Sequence, residues 1–172
     1  AEAAEPAPSA DGAIVAFTSS ASNLGAPGRQ SRVYVRDGDG VEVVSDAGAF
    51  AFEPAVSADG RFVAYAARRR ARAARRSEIR LYDRLTARTT TISRGGYASE
   101  PAVSADGRRV VFTSTAAHDT KPSGLAGVFL HDVDTGRTRL LSAHAPVALD
   151  APPPRDSRPL LCPLARGHAL AA

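Results

Sequence analysis

The sequence predicts an all-β fold made of three copies of one four-stranded antiparallel unit. Residues 53–61 recur without a change as residues 100–108, and residues 5–12 differ from them at one position of eight. The residues that follow each copy form short apolar runs and alternating segments, which is typical of half-buried strands. The prolines of successive copies are 48 and 47 residues apart. Because the agreement between the copies continues past the motif, the whole segment repeats and not only the short motif.

Each copy contains four strand-like segments. The first carries the Glu-Pro motif, and the Asp-Gly pair after it predicts a hairpin turn because both residues tolerate a positive φ. The second is a short apolar run that ends in an aromatic residue, and the third alternates aliphatic residues with others and ends in an aspartate. The fourth ends in an aliphatic residue followed by serine, as at Val44-Ser45.

The turn before the fourth segment differs between the copies. Residues 132–136 read Asp-Val-Asp-Thr-Gly in the third copy, and Asp-Gly-Asp-Gly at 37–40 makes a tighter link in the first. The second copy has Ala87 at the position of Gly136. Because glycine reaches a positive φ more easily than alanine, we expect a turn of a different type at Ala87.

The predicted sheets need one another because a four-stranded sheet of this length cannot cover both of its own faces. Radial stacking of such sheets gives a β-propeller, with the first blade at residues 5–52, the second at 53–99 and the third at 100–146. Residues 1–4 form an N-terminal extension. Residues 147–172 form a degenerate tail rich in proline, leucine and alanine, which is compatible with the remnant of a fourth blade.

Three blades are too few to close a ring, since propellers have about four to eight. We therefore interpret the chain as a fragment, or a degenerate end, of a longer propeller. A dimer of two chains that completes a six-bladed ring is the less favoured alternative.

The repeat resembles a known family. Ser-Ala-Asp-Gly-Arg at 57–61, followed by a Val-Ala-Tyr run and an alternating strand that ends in Asp83, is similar to the TolB-type propeller repeat. The resemblance covers about residues 5–142 and implies a six- or seven-bladed propeller in a periplasmic or secreted bacterial protein that binds proteins or envelope components without catalysis. Some relatives carry Asp-x-Asn-Gly in the loop held here by residues 24–30. Because no carboxylate lies there, we expect no calcium site.

The positive charge of the chain is concentrated in one loop. Residues 67–76 hold six arginines and no acid, so that they carry +6 while the other residues sum to −2. The six are Arg68, Arg69, Arg70, Arg72, Arg75 and Arg76. They are candidates for binding the phosphates of a polyanion or anionic headgroups, although a solvated loop is the favoured interpretation. No aromatic residue lies between them, which makes nucleic acid an unfavoured partner.

Glu5, Glu53 and Glu100 occupy the same position in the three copies. In the TolB-type repeat they would open the innermost strand, which implies that their carboxylates lie near one rim of the central channel and can face a cationic ligand. Ordinary solvation at a strand end is the favoured alternative. The aspartates of the Asp-Gly pairs recur in the same way, and turn formation explains them best.

No residue pattern in the chain predicts catalysis. It lacks a Gly-x-Ser-x-Gly motif, and its four histidines form neither a His-x-x-x-His nor a His-Glu-x-x-His pattern. Asp132-Val-Asp begins like a calcium loop, but Ala143 stands where that loop needs its bidentate glutamate. A single cysteine, Cys162, excludes an internal disulfide framework. We expect no cofactor and no metal. We also expect no membrane-spanning helix, because no run of about 18 apolar residues occurs.

Three functional hypotheses remain. The first, which we favour because regular repeats occur without a catalytic set, is a non-catalytic module of an envelope or secreted protein that presents its loops to a partner protein. The second is an accessory propeller that gates or orients substrate for a hydrolase or lyase domain outside this chain. The third, polyanion binding through Arg68 to Arg76, is compatible with either.

Overall fold

The computed structural model describes residues 2–25, 30–69, 76–93, 95–117 and 124–142, and all regular structure within these ranges is β-strand. The first sheet contains β1 (Ala3–Pro8), β2 (Val15–Ser19), β3 (Arg32–Asp37) and β4 (Gly40–Val43). The second contains β5 (Ala49–Val56), β6 (Phe62–Arg69), β7 (Glu78–Asp83) and β8 (Arg88–Thr91). The third contains β9 (Ala98–Val103), β10 (Arg109–Ser114), β11 (Gly127–Asp132) and β12 (Arg137–Leu140).

Each sheet is a simple antiparallel meander. The strands follow one another in chain order, β1-β2-β3-β4 in the first sheet and likewise in the other two, and every neighbouring pair is antiparallel. The predicted three four-stranded antiparallel sheets are therefore confirmed. The tail at 147–172, with Cys162, lies outside the described residues.

The Asp-Gly pairs form the hairpin turns between the first two strands of each sheet, but only the glycine adopts a positive φ. In the second sheet Gly60 has a φ of 71° and donates its N–H to the Ser57 carbonyl at 2.9 Å. Asp59 Oδ1 accepts the Ser57 hydroxyl at 2.5 Å and the Arg61 N–H at 3.0 Å, and the same bonds recur in the other two sheets. The predicted hairpin turn is therefore confirmed, and the aspartate stabilises it through its side chain while the glycine supplies the positive φ. These bonds, led by the one from Ser57, hold the pKa of Asp59 below its usual 3.8.

Ala87 also departs from the expectation drawn from its sequence. It has a φ of 53°, close to the 68° of Gly136 at the same position of the third sheet. The expected difference in turn type is therefore wrong, since Ala87 adopts the same left-handed conformation as the glycine. The Cβ of an L-residue is crowded in this conformation, so the second sheet contains a turn that is under steric strain.

The three sheets pack face to face in chain order. We call the face of a sheet that looks toward the preceding sheet its leading face, and the opposite face its trailing face. The trailing face of the first sheet and the leading face of the second enclose one core, and the next two faces enclose another. The largest fully buried aliphatic and aromatic side chains are Val33, Tyr34, Val35, Val63, Tyr65, Ile79 and Val110. Most of the remaining core is alanine, so the cores are thin.

Main-chain hydrogen bonds join successive sheets at their turns. The Ala10 N–H donates to the Ala58 carbonyl at 3.1 Å, and the Ala58 N–H donates to the Ala105 carbonyl at 3.0 Å. A second set of bonds is also repeated, between Ser31 and Ala51 and between Ser77 and Ala98. The same donor and acceptor positions are therefore used at both sheet-to-sheet contacts.

Two of the turn glycines lie against a side chain of the preceding sheet. A Cβ at Gly60 would lie 2.5 Å from Cγ1 of Ile14, and a Cβ at Gly107 would lie 2.2 Å from Cδ2 of Phe62. Gly12 has the same φ of 71°, but no atom lies within 4 Å of its Cβ position. The side chain that follows the turn of one sheet thus packs on the turn glycine of the next, which requires glycine for space as well as for φ.

Candidate functional site

The three glutamates predicted to line a rim lie inside the first strands of their sheets rather than at the strand ends. Glu5, Glu53 and Glu100 have φ values of 55°, 53° and 54°, and the strand register shifts at each Glu-Pro pair. A positive φ is uncommon for a residue with a Cβ, and a bulge of this kind takes one residue out of the ladder. The bulge leaves the glutamate N–H available for a bond outside its own sheet.

The glutamate side chains use those N–H groups to bridge successive sheets. Glu5 Oε2 accepts the Glu53 N–H at 2.8 Å, and Glu53 Oε2 accepts the Glu100 N–H at 2.6 Å. Glu100 Oε2 accepts the Thr113 hydroxyl of its own sheet at 2.8 Å. The structure therefore brings the three glutamates into one row, in which two of the carboxylates join neighbouring sheets. Their binding of a cationic ligand stays a prediction.

The arginine-rich segment begins in a strand. Arg68 lies in β6 with its side chain exposed, and its guanidinium carbon is 5.8 Å from the centre of the Phe50 ring. Arg69 ends the same strand, and Arg76 is exposed just before β7. The segment therefore leaves the sheet at the end opposite the Asp-Gly turn. Arg70, Arg72 and Arg75 lie outside the described residues, and binding of a polyanion stays a prediction.

A cleft of about 810 Å³ opens between the trailing face of the second sheet and the leading face of the third. Strand β8 lines one side of it, together with Leu81 and Ile92. Phe112 and Phe129 lie on the other side, and their rings stack with centroids 5.8 Å apart. The cleft therefore combines an apolar floor with the main chain and threonine hydroxyls of an outer strand.

His131 lies in this cleft. The replacement of Tyr82 by His131 between the copies favours a solvent-exposed or inter-blade position, and the structure has His131 buried between the second and third sheets. Its Nδ1 lies 2.8 Å from Thr138 Oγ1. Burial holds the pKa of His131 below its usual 6.5, so the ring is neutral at pH 7. Within the described residues no hydrogen bond is made by Nε2, which leaves this nitrogen for a ligand in the cleft.

We call the contact between the facing sides of two successive sheets a seam. The cleft lies in the seam between the second and third sheets, whereas the seam between the first and second sheets is filled with polar side chains. The Tyr82 hydroxyl donates to Glu42 Oε1 at 2.7 Å. Across this seam Arg84 forms ion pairs with Asp37 and Glu42, and Arg80 forms one with Asp46. At the positions of Arg80 and Arg84 the third sheet has Phe129 and Val133, so these two positions bring no charge into the second seam. The two seams are therefore chemically different although the repeats align.

Two ionisable groups near these seams have strongly shifted pKa values. Burial, together with the bond to Glu42, raises the pKa of Tyr82 from 10 to about 12. The Arg61 guanidinium donates to both oxygens of Asp83, at 3.0 and 2.9 Å, and lowers the pKa of that carboxyl from 3.8 to about 2. Asp83 therefore stays ionised at the mouth of the cleft and is neutralised by Arg61.

The cleft was not predicted from the sequence. The one signal in the sequence lies in and directly after the aligned third strands, where Arg80 and Arg84 of the second copy are replaced by Phe129 and Val133 in the third. Alternation places such residues on one face of a half-buried strand. Alternation does not indicate how closely that face packs against the next sheet. The cleft between the two sheets is therefore visible only in the structure.

Among the residues that the structure describes, no group of three or more His, Cys, Asp or Glu side chains is arranged to hold a metal ion. The same part of the chain contains no helix of the length and apolar character needed to cross a membrane.

Neither a protein-family model nor a curated protein sequence matches the chain. Among solved structures, it is similar to TolB from Acinetobacter baumannii, with a TM-score of 0.59 and 20% identity over 81% of the chain. The β-propeller domain of the Trilobed protease from Pyrococcus furiosus gives a TM-score of 0.59 and 15% identity over 79%. The fold is that of a β-propeller. Dipeptidyl peptidase 4 from Porphyromonas gingivalis matches 81% of the chain with a TM-score of 0.57 and 19% identity.

At 20% identity or less, these likenesses concern the fold alone. They confirm the propeller fold that the sequence predicts, with sheets similar to those of TolB, and each of the three sheets is one blade. The chain spans 32% of the Acinetobacter TolB, 41% of the Trilobed protease propeller and 18% of the dipeptidyl peptidase. The similar solved structures thus include TolB, the propeller domain of a protease and a dipeptidyl peptidase.

Proposed function

We propose that the chain is a non-catalytic interaction module of an envelope or secreted protein, and that the cleft between the second and third sheets receives an extended segment of a partner protein. The observation that carries this proposal is the cleft itself, about 810 Å³ in volume, which is flanked by the outermost strand of the second sheet. Clefts of this size with an apolar floor and a few polar groups are the usual form of a binding site.

The partner segment can pair with the free edge of β8. This strand is the last of its sheet, so that one of its edges has no neighbour within the described residues. The Ile92 N–H donates to the Ile79 carbonyl of β7, and because donors alternate along an antiparallel strand, the Thr91 N–H points away from the sheet. Addition of an extended peptide to an exposed sheet edge is a common mode of recognition.

The cleft also supplies side-chain recognition. A peptide paired with β8 turns alternate side chains toward Phe112 and Phe129, which favours an apolar residue there. The neutral His131 offers its Nε2 to a polar group next to that residue. Asp83 at the mouth of the cleft is already paired with Arg61, and Arg88 of β8 also lines the cleft, so the cleft disfavours a basic segment.

A peptide-display selection on the whole chain tests this proposal. We expect the enriched peptides to bind the wild type and to lose binding to Thr91→Pro, which removes an outward N–H without removing a ladder bond. The matched control is Val43→Pro, the same position at the end of β4 in the first sheet, which should leave binding unchanged. Peptides that bind Thr91→Pro as well as wild type, or a selection that enriches none, would contradict the proposal.

The second candidate is an accessory propeller that gates or orients substrate for an enzyme. Its support is the likeness to the propeller domain of the Trilobed protease and to dipeptidyl peptidase 4. The natural reading frame discriminates between the two candidates. An adjoining hydrolase or lyase segment would favour the accessory role and would overturn the first proposal as stated.

Polyanion binding through the arginine-rich segment is compatible with either candidate. It is supported by the exposed Arg68 and Arg76, which bracket a segment without acidic residues. Because such binding releases counterions, affinity for heparin should fall steeply between low and physiological salt. Binding that is independent of salt would exclude this electrostatic account.

A further inference from the structure

The trailing face of the third sheet is apolar and has no covering sheet within the described residues. Four positions of the trailing face recur, namely Ala64, Ile79, Leu81 and Ile92 in the second sheet and Val111, Val128, Leu130 and Leu141 in the third. In the second sheet these positions are between 0 and 6% exposed, because the third sheet covers them. In the third sheet all four are at least partly exposed, and Leu141 reaches 44%. The face that forms an interior in the second sheet is therefore a surface in the third.

The same face carries polar groups that are paired in the other sheets. The Ala58 N–H donates to a carbonyl of the third sheet, but among the described residues the equivalent Ala105 N–H has no acceptor. Glu5 and Glu53 each accept a main-chain N–H of the following sheet, whereas within the described ranges Glu100 accepts only a hydroxyl of its own sheet. The Ala105 N–H and the Glu100 carboxylate are therefore placed to bond with the leading face of another sheet of the same repeat.

The leading face of the first sheet carries the complementary half. The Ala10 carbonyl stands at the position of the acceptors in the other two turns, and the space over Gly12 is open where Gly60 and Gly107 are covered. Phe17 stacks on Tyr34 with centroids 5.7 Å apart, as Phe112 stacks on Phe129 in the third sheet. Within this pair Tyr34 is buried, and Phe17 is the partly exposed ring that a neighbouring sheet can reach.

The sequence alone favours a fragment of a longer propeller, but the unmatched groups on the two end faces lead us to another assignment. We propose that a second copy of this chain occupies the trailing face of the third sheet, with the leading face of its own first sheet. The contact is heterologous, and a two-fold arrangement uses both end faces of both copies. Two copies of three sheets make a ring of six, which lies within the range of about four to eight at which propellers close. The geometry thus continues the sheet-to-sheet contact that occurs twice inside one chain.

One pair of charges opposes this contact and provides a test. In the first seam Tyr82 meets Glu42. The equivalent positions at the proposed contact are Arg36 of one copy and Arg139 of the other, both exposed. Like charges at this place weaken the contact, so Arg139→Glu should tighten the dimer, by roughly two- to tenfold in the dissociation constant.

Sedimentation of the whole chain over a range of concentrations tests the proposal. We expect a species of twice 17.9 kDa that dissociates on dilution. Leu130→Glu, which puts a charge in the apolar face, should shift the chain to monomer, while Leu85→Glu should not, because Leu85 is 75% exposed in the turn between β7 and β8. A circular dichroism spectrum unchanged by either substitution shows that both variants fold.

The Arg139→Glu variant keeps the proposal falsifiable if Leu130→Glu does not fold. A wild type and an Arg139→Glu variant that both stay monomeric at the highest concentration would overturn it. So would a dimer that Leu130→Glu leaves intact, or a ladder of larger oligomers, since an open heterologous contact polymerises instead of closing.

Discussion

Replacement of Ala87 by glycine should stabilise the protein. Ala87 has a φ of 53°. An L-residue in this region costs about 1–2 kcal/mol, and glycine offsets about 0.4–1 kcal/mol of the gain through the larger entropy of its unfolded chain. The expected net effect is an increase of about 0.5–1 kcal/mol in the free energy of unfolding, or about 1–4 °C in melting temperature.

The matched substitution is Gly136→Ala in the third sheet. Its φ is 68°, and nothing lies within 4 Å of its Cβ position, so the change tests the backbone conformation without a steric clash. Denaturant unfolding followed by circular dichroism should show a loss of about 0.5–1 kcal/mol for Gly136→Ala. An Ala87→Gly variant that is no more stable than wild type, beside a destabilised Gly136→Ala, would refute the conformational reasoning for Ala87.

Three further predictions follow from the bonds within and between the sheets. The pKa of Asp83 is lowered from 3.8 to about 2, so the stability that the ionised Asp83 contributes should disappear as the pH falls from about 4 to about 2. In an acid unfolding titration, Asp83→Asn should remove that pH dependence. The pKa of Tyr82 is raised from 10 to about 12, so the stability that the neutral Tyr82 contributes should be lost as the pH rises from about 10 to about 12. In an alkaline unfolding titration, Tyr82→Phe should abolish this loss. Glu53→Ala removes the acceptor of the Glu100 N–H and should cost about 1 kcal/mol of unfolding free energy, whereas Glu53→Gln keeps an oxygen there and should cost less; equal losses would contradict a bridging role.

The sheets could be predicted from the sequence because the repeat period, the alternation of residues and the turn residues all indicate the same four-stranded unit. The repeat of residues 53–61 fixes the period, the alternation of residues 79–83 fixes a half-buried strand, and Asp-Gly fixes the turn. Three such units without a helical period leave face-to-face stacking as the way to cover the apolar faces. The details of the turns were less accessible, because Ala87 is held in a glycine-like conformation by the surrounding sheet rather than by its own preference.

The candidate site could be predicted only in part. Glu5, Glu53 and Glu100 were singled out by their repeated position, but the bulge that turns their N–H groups toward the neighbouring sheet has no signature other than Glu-Pro. The cleft at His131 depends on how the second and third sheets meet, which no local pattern encodes. The contacts between sheets depend on pairs of side chains that are far apart in the chain. A single sequence does not show which side chains form those pairs.

The central claim is that each sheet is stabilised by the sheet that packs on its turn. Gly12→Ala and Gly107→Ala test it most directly, because both glycines have a φ of 71° in the same turn and only Gly107 lies under a side chain, Phe62, of the preceding sheet. We predict that Gly12→Ala costs about 1 kcal/mol of unfolding free energy and that Gly107→Ala costs about 1–3 kcal/mol more. Equal losses for the two substitutions would contradict the stacking of the sheets.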